Sequence, residues 1–197
     1  MDRGTLDFYD ANADAYAACS ETDHGLQHLA LFAADLPSGA TVLDFGSGDG
    51  WAAGWLAAEG FDVLAFDGSE ALLDLAAQRP GVRTELGTFD SFDAVEAYDG
   101  VWASFSLLHA PRADLSANIG RLAAALVPEG RLFVGLKRGQ HEARDALGRF
   151  YAYFEPEEVI EALTENDLEV LSATSAEGKA MTGDTETFLY FHARSAD

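Results

Sequence analysis

The stretch TVLDFGSGDGW (residues 41–51) sets an acid, Asp44, two residues ahead of three alternating glycines, Gly46, Gly48 and Gly50. Glycine is costly to order, so this density marks a place where the backbone must stay bare. A glycine-rich turn between an apolar run and a helical pattern aims backbone N–H groups at a nucleotide-like ligand. A second acid, Asp67, ends the next apolar run in VLAFDGSE. A carboxylate at that distance from the glycines suits a pair of ribose hydroxyls.

The spacing is G-x-G-x-G. The dinucleotide fingerprint G-x-G-x-x-G needs its third glycine at position 51, which is Trp51. Asp44 would also repel a pyrophosphate laid over the loop, and Asp49 adds to that charge. Both acids suit an adenosine compound without phosphate and with a cationic end. S-adenosylmethionine, with an ammonium and a sulfonium, has that character.

These groups need a scaffold. Five short apolar runs, at 41–45, 61–66, 82–86, 98–105 and 130–137, read as buried strands. Helical patterns at 51–60, 69–78 and 113–126 fall between them, with a weaker one at 87–97. Strands apolar on both faces, alternating with helices, predict an α/β, doubly wound, mostly parallel sheet. Residues 155–167 read as a helix with Pro156 in its first turn. Two strands follow, at 168–175 and 185–195, and the turn residues between them suit antiparallel pairing. Residues 1–36 have helical periodicity and form an N-terminal cap, in which Tyr9 and Tyr16, seven apart, share a helix face.

The 197 residues are expected to form one domain, 1–197. With 34 acids against 12 bases the formal charge is −22, which argues against nucleic acid or an anionic membrane as partner. A lone cysteine, Cys19, allows no internal disulfide. No charged start precedes an apolar run and no apolar stretch reaches about 18 residues, so a soluble, cytoplasmic protein is expected. No metal site is expected either: His24 and His28 share a helix face without a third ligand, and HEARD (141–145) lacks the second histidine of H-E-x-x-H.

VLDFGSGDG resembles the first motif of class I S-adenosylmethionine-dependent methyltransferases, and FDGSEALLDLA resembles their second. YDGVWASFSLLHAP is similar to their fourth-strand motif, and FYDANADAYA to the aromatic front helix of their small-molecule branch, loosely the tellurite-resistance and ubiquinone-pathway enzymes. The resemblance implies a Rossmann-like sheet of seven strands in the order 3-2-1-4-5-7-6, with strand 7 antiparallel. It implies S-adenosylmethionine as cofactor and S-adenosylhomocysteine as product. Asp44, Gly46, Ser47, Gly48 and Gly50 would take the methionine end, and Asp67 the ribose, backed by Gly68 and Ser69. Phe89 and Asp90 would meet the adenine, Ala103 and Ser104 the methionine part, and Tyr9 and Tyr16 would cover the cleft.

Methyl transfer from a sulfonium needs mainly positioning and exclusion of water. A base is required only if the acceptor must lose a proton, and His109 is the candidate. Four of the 12 basic residues, Lys137, Arg138, Arg144 and Arg149, crowd into KRGQHEARDALGRFYAYFEP (137–156). Three readings stand open for that segment: a substrate lid over 137–153, a salt-bridged surface helix, or a subunit contact. Under the first, Lys137, Arg144, Arg149 and Tyr151 touch the acceptor, with arginine as a fork for a carboxylate or phosphate. The acceptor is expected to be a small molecule, because no residues remain for a separate recognition domain. The alternatives are a non-catalytic binder of S-adenosylmethionine or S-adenosylhomocysteine, and an NAD-dependent oxidoreductase.

Overall fold

The computed structural model describes residues 2–196. Strands β1 (Thr41–Phe45), β2 (Asp62–Asp67), β3 (Val82–Leu86), β4 (Tyr98–Ser104), β5 (Leu126–Lys137), β8 (Leu168–Lys179) and β9 (Thr185–Ser195) build one sheet in the order β3-β2-β1-β4-β5-β9-β8. All pairs are parallel except those of β9, which runs antiparallel to both β5 and β8. The expected order therefore holds, with β8 and β9 as the sixth and seventh strands of the main sheet. Strands β6 (Glu142–Arg144) and β7 (Phe150–Ala152) form a separate antiparallel hairpin.

Side-chain alternation along the strands divides the core. Val42, Val63, Ala65, Trp102 and Phe133 face α3 (Asp23–Ala34), α4 (Trp51–Ala58) and α5 (Glu70–Ala76). Leu43, Leu64, Val101, Ala103 and Leu132 face α6 (Leu115–Ala125) and α7 (Pro156–Glu165) on the other side. Register places Asp44 opposite Ala65 and Trp102, so this acid stands on the α4 face at the carboxyl end of the sheet. Pro156 opens α7 as read from the sequence, where its missing N–H leaves no helical bond unmade.

Three sequence expectations change. The 87–97 connection holds only a 3-10 turn, Phe89–Ser91. The front segment is broken: α1 (Arg3–Ala11) ends where Asn12 leaves helical geometry and its side chain caps the Phe8 carbonyl at 2.8 Å, and α2 (Ala13–Ala17) starts anew. Tyr9 and Tyr16 thus sit on two helices, yet their rings still meet edge to face at 5.2 Å. Residues 137–153 form no helix, because the chain turns at 145–148 and pairs with itself.

Phe89 belongs to the core rather than to a ligand site. Its ring is 3% exposed and stacks on Phe45 at 5.2 Å, within a cluster that includes Phe66 and Phe92. Phe89→Ala is expected to remove about 3–5 kcal/mol of stability in a urea titration. A loss under about 1 kcal/mol would place the ring outside the core.

Candidate functional site

Three connected hollows open at the carboxyl ends of β1, β2 and β4. A narrow cleft of about 30 Å³ lies among Gly46, Gly48, Asp67 and Ser104, under Tyr9 and Tyr16. A recess of about 80 Å³ lies beside Asp44, Gly46, Ser47 and Trp51. A larger cavity of about 320 Å³ is walled by Tyr9, Phe105, His109, Lys137, Arg149 and Tyr151, among others.

The glycine loop is shaped by packing and by left-handed backbone together. Gly46 has φ +73°, and a Cβ there would lie 2.2 Å from the Ser106 Cβ. Gly50 begins α4 in the same conformation and packs on Ala76, so its role is structural. Gly48 faces the Tyr16 ring. Asp67 holds the loop: its carboxylate accepts the Gly48 N–H and the Ser69 N–H, both at 2.9 Å. Each oxygen keeps a further acceptor site, which fits a pair of vicinal hydroxyls. Gly68 links Asp67 to the helix, while the Ser69 hydroxyl caps α5 and donates to Asp10.

Electrostatically the site is acidic and short of cations. Asp44, Asp49 and Asp67 are all buried. Among the described residues only Asp49 of the three has a cationic partner, Arg79 at 2.5 Å. Burial pushes the Asp44 carboxyl up to about 8; the Ala53 N–H opposes this, and Asp67 and Asp49 add to it. Burial likewise raises Asp67 above the ordinary carboxylate range, against its backbone hydrogen bonds. The hydroxyls of Ser47 and Ser106 are buried without a partner and border these hollows. Unpaired buried acids with free hydroxyls fit a ligand carrying positive charge and polar ends, as an ammonium and a sulfonium would provide.

His109 sits where cleft and cavity meet. Its Nδ1 lies 2.7 Å from the Phe150 carbonyl and its Nε2 3.1 Å from the Tyr9 hydroxyl. A carbonyl can only accept, so Nδ1 carries the proton and Nε2 accepts from Tyr9. Burial pulls this imidazole down to about 4, so it is neutral.

Around the cavity the basic residues are engaged. Arg149, 2% exposed, turns its Nε and Nη2 onto Asp145 Oδ2 at 2.9 and 2.6 Å. Lys137 pairs with Glu186 at 2.5 Å, and its ammonium lies 3.9 Å from the Tyr151 ring centre. Burial draws Lys137 below its ordinary value, and Glu186 restores part of it. Arg144 lies outside: it is half exposed and ties the hairpin to Asp2 at 2.8 Å. Asp90 also lies outside, toward solvent and Arg121. Ala103 faces the α6 side of the core and lines none of the three hollows, whereas Ser104 borders the cleft. His28 bonds His192 at 3.0 Å across to β9.

Sequence reasoning passed over Phe105, which borders all three hollows. Its φ of +56° is rare for a large side chain and marks a strained position at the junction. Its only trace in the sequence is its place as the last residue of the fourth apolar run. Phe188, Tyr190 and Met181 reach the cavity from β9 and the turn before it. Nothing local signals them, since only strand order carries β9 to this side.

Asp44 gives a test of this balance. Its folded value is raised, so folding favours the protonated acid. Stability from that source is present below about 4 and is lost as pH rises through about 8. Asp44→Asn keeps an acceptor for Ala53 and cannot ionise. It is expected to match the parent near pH 5 and to exceed it near pH 9 by about 2–5 kcal/mol in denaturant unfolding. An equal difference at both pH values would contradict the assignment.

Comparison with known proteins agrees with this geometry. A family model described as a methyltransferase domain matches residues 15–174. A ubiquinone biosynthesis O-methyltransferase of Paramagnetospirillum magneticum is 36% identical over 102 residues, which are 49% of this chain and 40% of that enzyme. The 1,6-didemethyltoxoflavin-N1-methyltransferase of Burkholderia thailandensis, solved with bound 1,6-didemethyltoxoflavin and S-adenosylhomocysteine, aligns with a TM-score of 0.78 at 22% identity, covering 97% of this chain and 86% of that one. A TehB-like S-adenosylmethionine-dependent methyltransferase from Corynebacterium glutamicum aligns at 0.71 with 21% identity, covering 98% of both chains. The chain therefore belongs to the methyltransferase-domain family and has the fold of S-adenosylmethionine-dependent methyltransferases, while spanning less than half the length of the curated relative it matches.

Proposed function

We propose that the protein transfers the methyl group of S-adenosylmethionine to a compact small molecule held in the cavity beside His109. The observation that carries this is the pairing of two environments. A cleft of buried, cation-poor carboxylates opens onto a larger aromatic cavity through Tyr9, Tyr16, Phe105 and His109. The first suits the charged donor and the second an uncharged or polarisable acceptor.

In this reading Asp67 takes the ribose hydroxyls, and Gly46 and Gly48 let the backbone come close. Asp44, with the Ser47 hydroxyl, meets the ammonium end in the neighbouring recess. When bound, S-adenosylmethionine supplies a methyl group already activated on a sulfonium. The chain then has to align the acceptor with that methyl and keep water out. Tyr9 and Tyr16 of the front helices close one side. Lys137, Arg149 and Tyr151 of the 137–153 segment close the other, which makes that segment the acceptor's cover.

The formal charge of −22 and the modest volume of the cavity, about 320 Å³, both favour a small acceptor over a nucleic acid. Among the described residues no helix is long and apolar enough to cross a membrane.

Calorimetry with S-adenosylmethionine, S-adenosylhomocysteine and NAD tests the donor assignment. Both adenosyl ligands are expected to bind and NAD is not. Asp67→Ala is expected to weaken both by about 1–3 kcal/mol through lost hydroxyl partners. Binding of NAD alone, or an Asp67→Ala variant of undiminished affinity, would overturn it.

A further inference from the structure

We propose, resting on the methyltransferase reading above, that the acceptor is a compact phenol methylated on its hydroxyl oxygen. Tyr9 relays the departing proton to His109, and Arg149 Nη1 together with Lys137 stabilises the charge that develops on the oxygen.

The cavity's size and walls set the shape. About 320 Å³ lies at the small end for ligand sites. Phe105, Tyr151, Phe188 and Tyr190 offer faces and edges to a flat ring.

The charges narrow the functional group. The two buried cations are already matched by two carboxylates: Arg149 by Asp145 and Lys137 by Glu186. Arg149 has spent two of its nitrogens on Asp145, so the two-pronged grip expected for a carboxylate or phosphate is closed. A permanent anion would add a third negative charge to a balanced, desolvated set. A protonated amine would stand against two cations. A hydroxyl enters neutral and needs the N–H donors only as its proton leaves.

Arg149 keeps one nitrogen for that moment, beside the ammonium of Lys137. Arg149 Nη1 makes only a long contact to Tyr9 Oη, at 3.4 Å, and a weak one to the Met181 thioether sulfur, also at 3.4 Å. Tyr9 Oη lies between this nitrogen and His109 Nε2; the Tyr151 hydroxyl also hydrogen-bonds it, and an acceptor O–H takes that place. The Phe150 carbonyl holds His109 with its unprotonated nitrogen toward Tyr9. Because burial makes His109 a weak base, a hydroxyl that is itself acidic is favoured over an alkanol.

The step balances as follows. The phenol oxygen forms the new bond to the methyl carbon, and the carbon–sulfur bond breaks with its electron pair retained on sulfur. The phenolic proton passes to Tyr9 Oη while the Tyr9 proton passes to His109 Nε2. The products are an aryl methyl ether, a neutral thioether and an imidazolium, which returns its proton to solvent.

Three probes of similar size separate the cases: 4-methylphenol, 4-methylbenzoate and 4-methylaniline. Binding is measured with the protein saturated in S-adenosylhomocysteine, and turnover with S-adenosylmethionine. The methylphenol is expected to bind at least about tenfold tighter than the other two and to be converted to its methyl ether. Tyr9→Phe is expected to lower kcat on it by about 10²-fold or more, with KM and S-adenosylhomocysteine affinity nearly unchanged. His109→Gln is expected to give the same split. Tighter binding or methylation of the benzoate or the aniline, or a Tyr9→Phe enzyme with unaltered kcat, overturns the phenol assignment while the methyltransferase reading stands. Failure of the parent protein to bind S-adenosylhomocysteine overturns both.

Discussion

Carboxylates buried at the carboxyl ends of β1 and β2 are the constraint on which the site depends. A buried acid is tolerable when it is protonated, hydrogen-bonded or beside a cation. The chain supplies one guanidinium here, Arg79, and commits it to Asp49. Asp67 has backbone N–H groups instead, and the loop that provides one of them is the glycine turn. Asp44 has a single N–H from Ala53. The loop's shape and its appetite for positive charge therefore have one origin. The glycines let the backbone reach the acid, and the acids leave a charge that a ligand must complete.

The far side of the site is built the opposite way. Around the large cavity every buried charge has a counter-charge from the chain itself, and His109 is neutral. The two halves meet at Tyr9 and Phe105. Tyr9 is fixed from several directions at once. Asp2 caps α1 and binds Arg144, Thr5 accepts the Phe150 N–H, and Asp10 accepts the Ser69 hydroxyl. The hairpin, the front helix and the α5 cap thus position one phenol ring against one imidazole.

The central strands were legible in the sequence because strands buried on both faces leave continuous apolar runs, and the glycine loop and Asp67 were legible because they lie next to such runs. The cavity was harder. Lys137, Arg149 and Tyr151 could be gathered from their crowding, but not the fate of their charges. Asp145 and Glu186 are one acid each among 34. Arg144 matched Arg149 in type and segment, and strand alternation in the hairpin sends it outward. Phe89 had the right place for an adenine contact and turned inward, because Phe45 and Phe66 offered it a stacking face. Local pattern reports burial along one strand, whereas these outcomes are decided between segments far apart in the chain.

Proton linkage on cofactor binding tests the central claim most directly. Binding of S-adenosylmethionine near pH 7 is measured by calorimetry in buffers of different ionisation enthalpy. A cation placed beside Asp44 brings its carboxyl down from about 8 toward the ordinary range, so binding is predicted to release up to about one proton. Asp44→Asn is predicted to bind more weakly and without that release. Proton uptake, or no exchange in the parent protein, would contradict the account of a cation-completing acidic site.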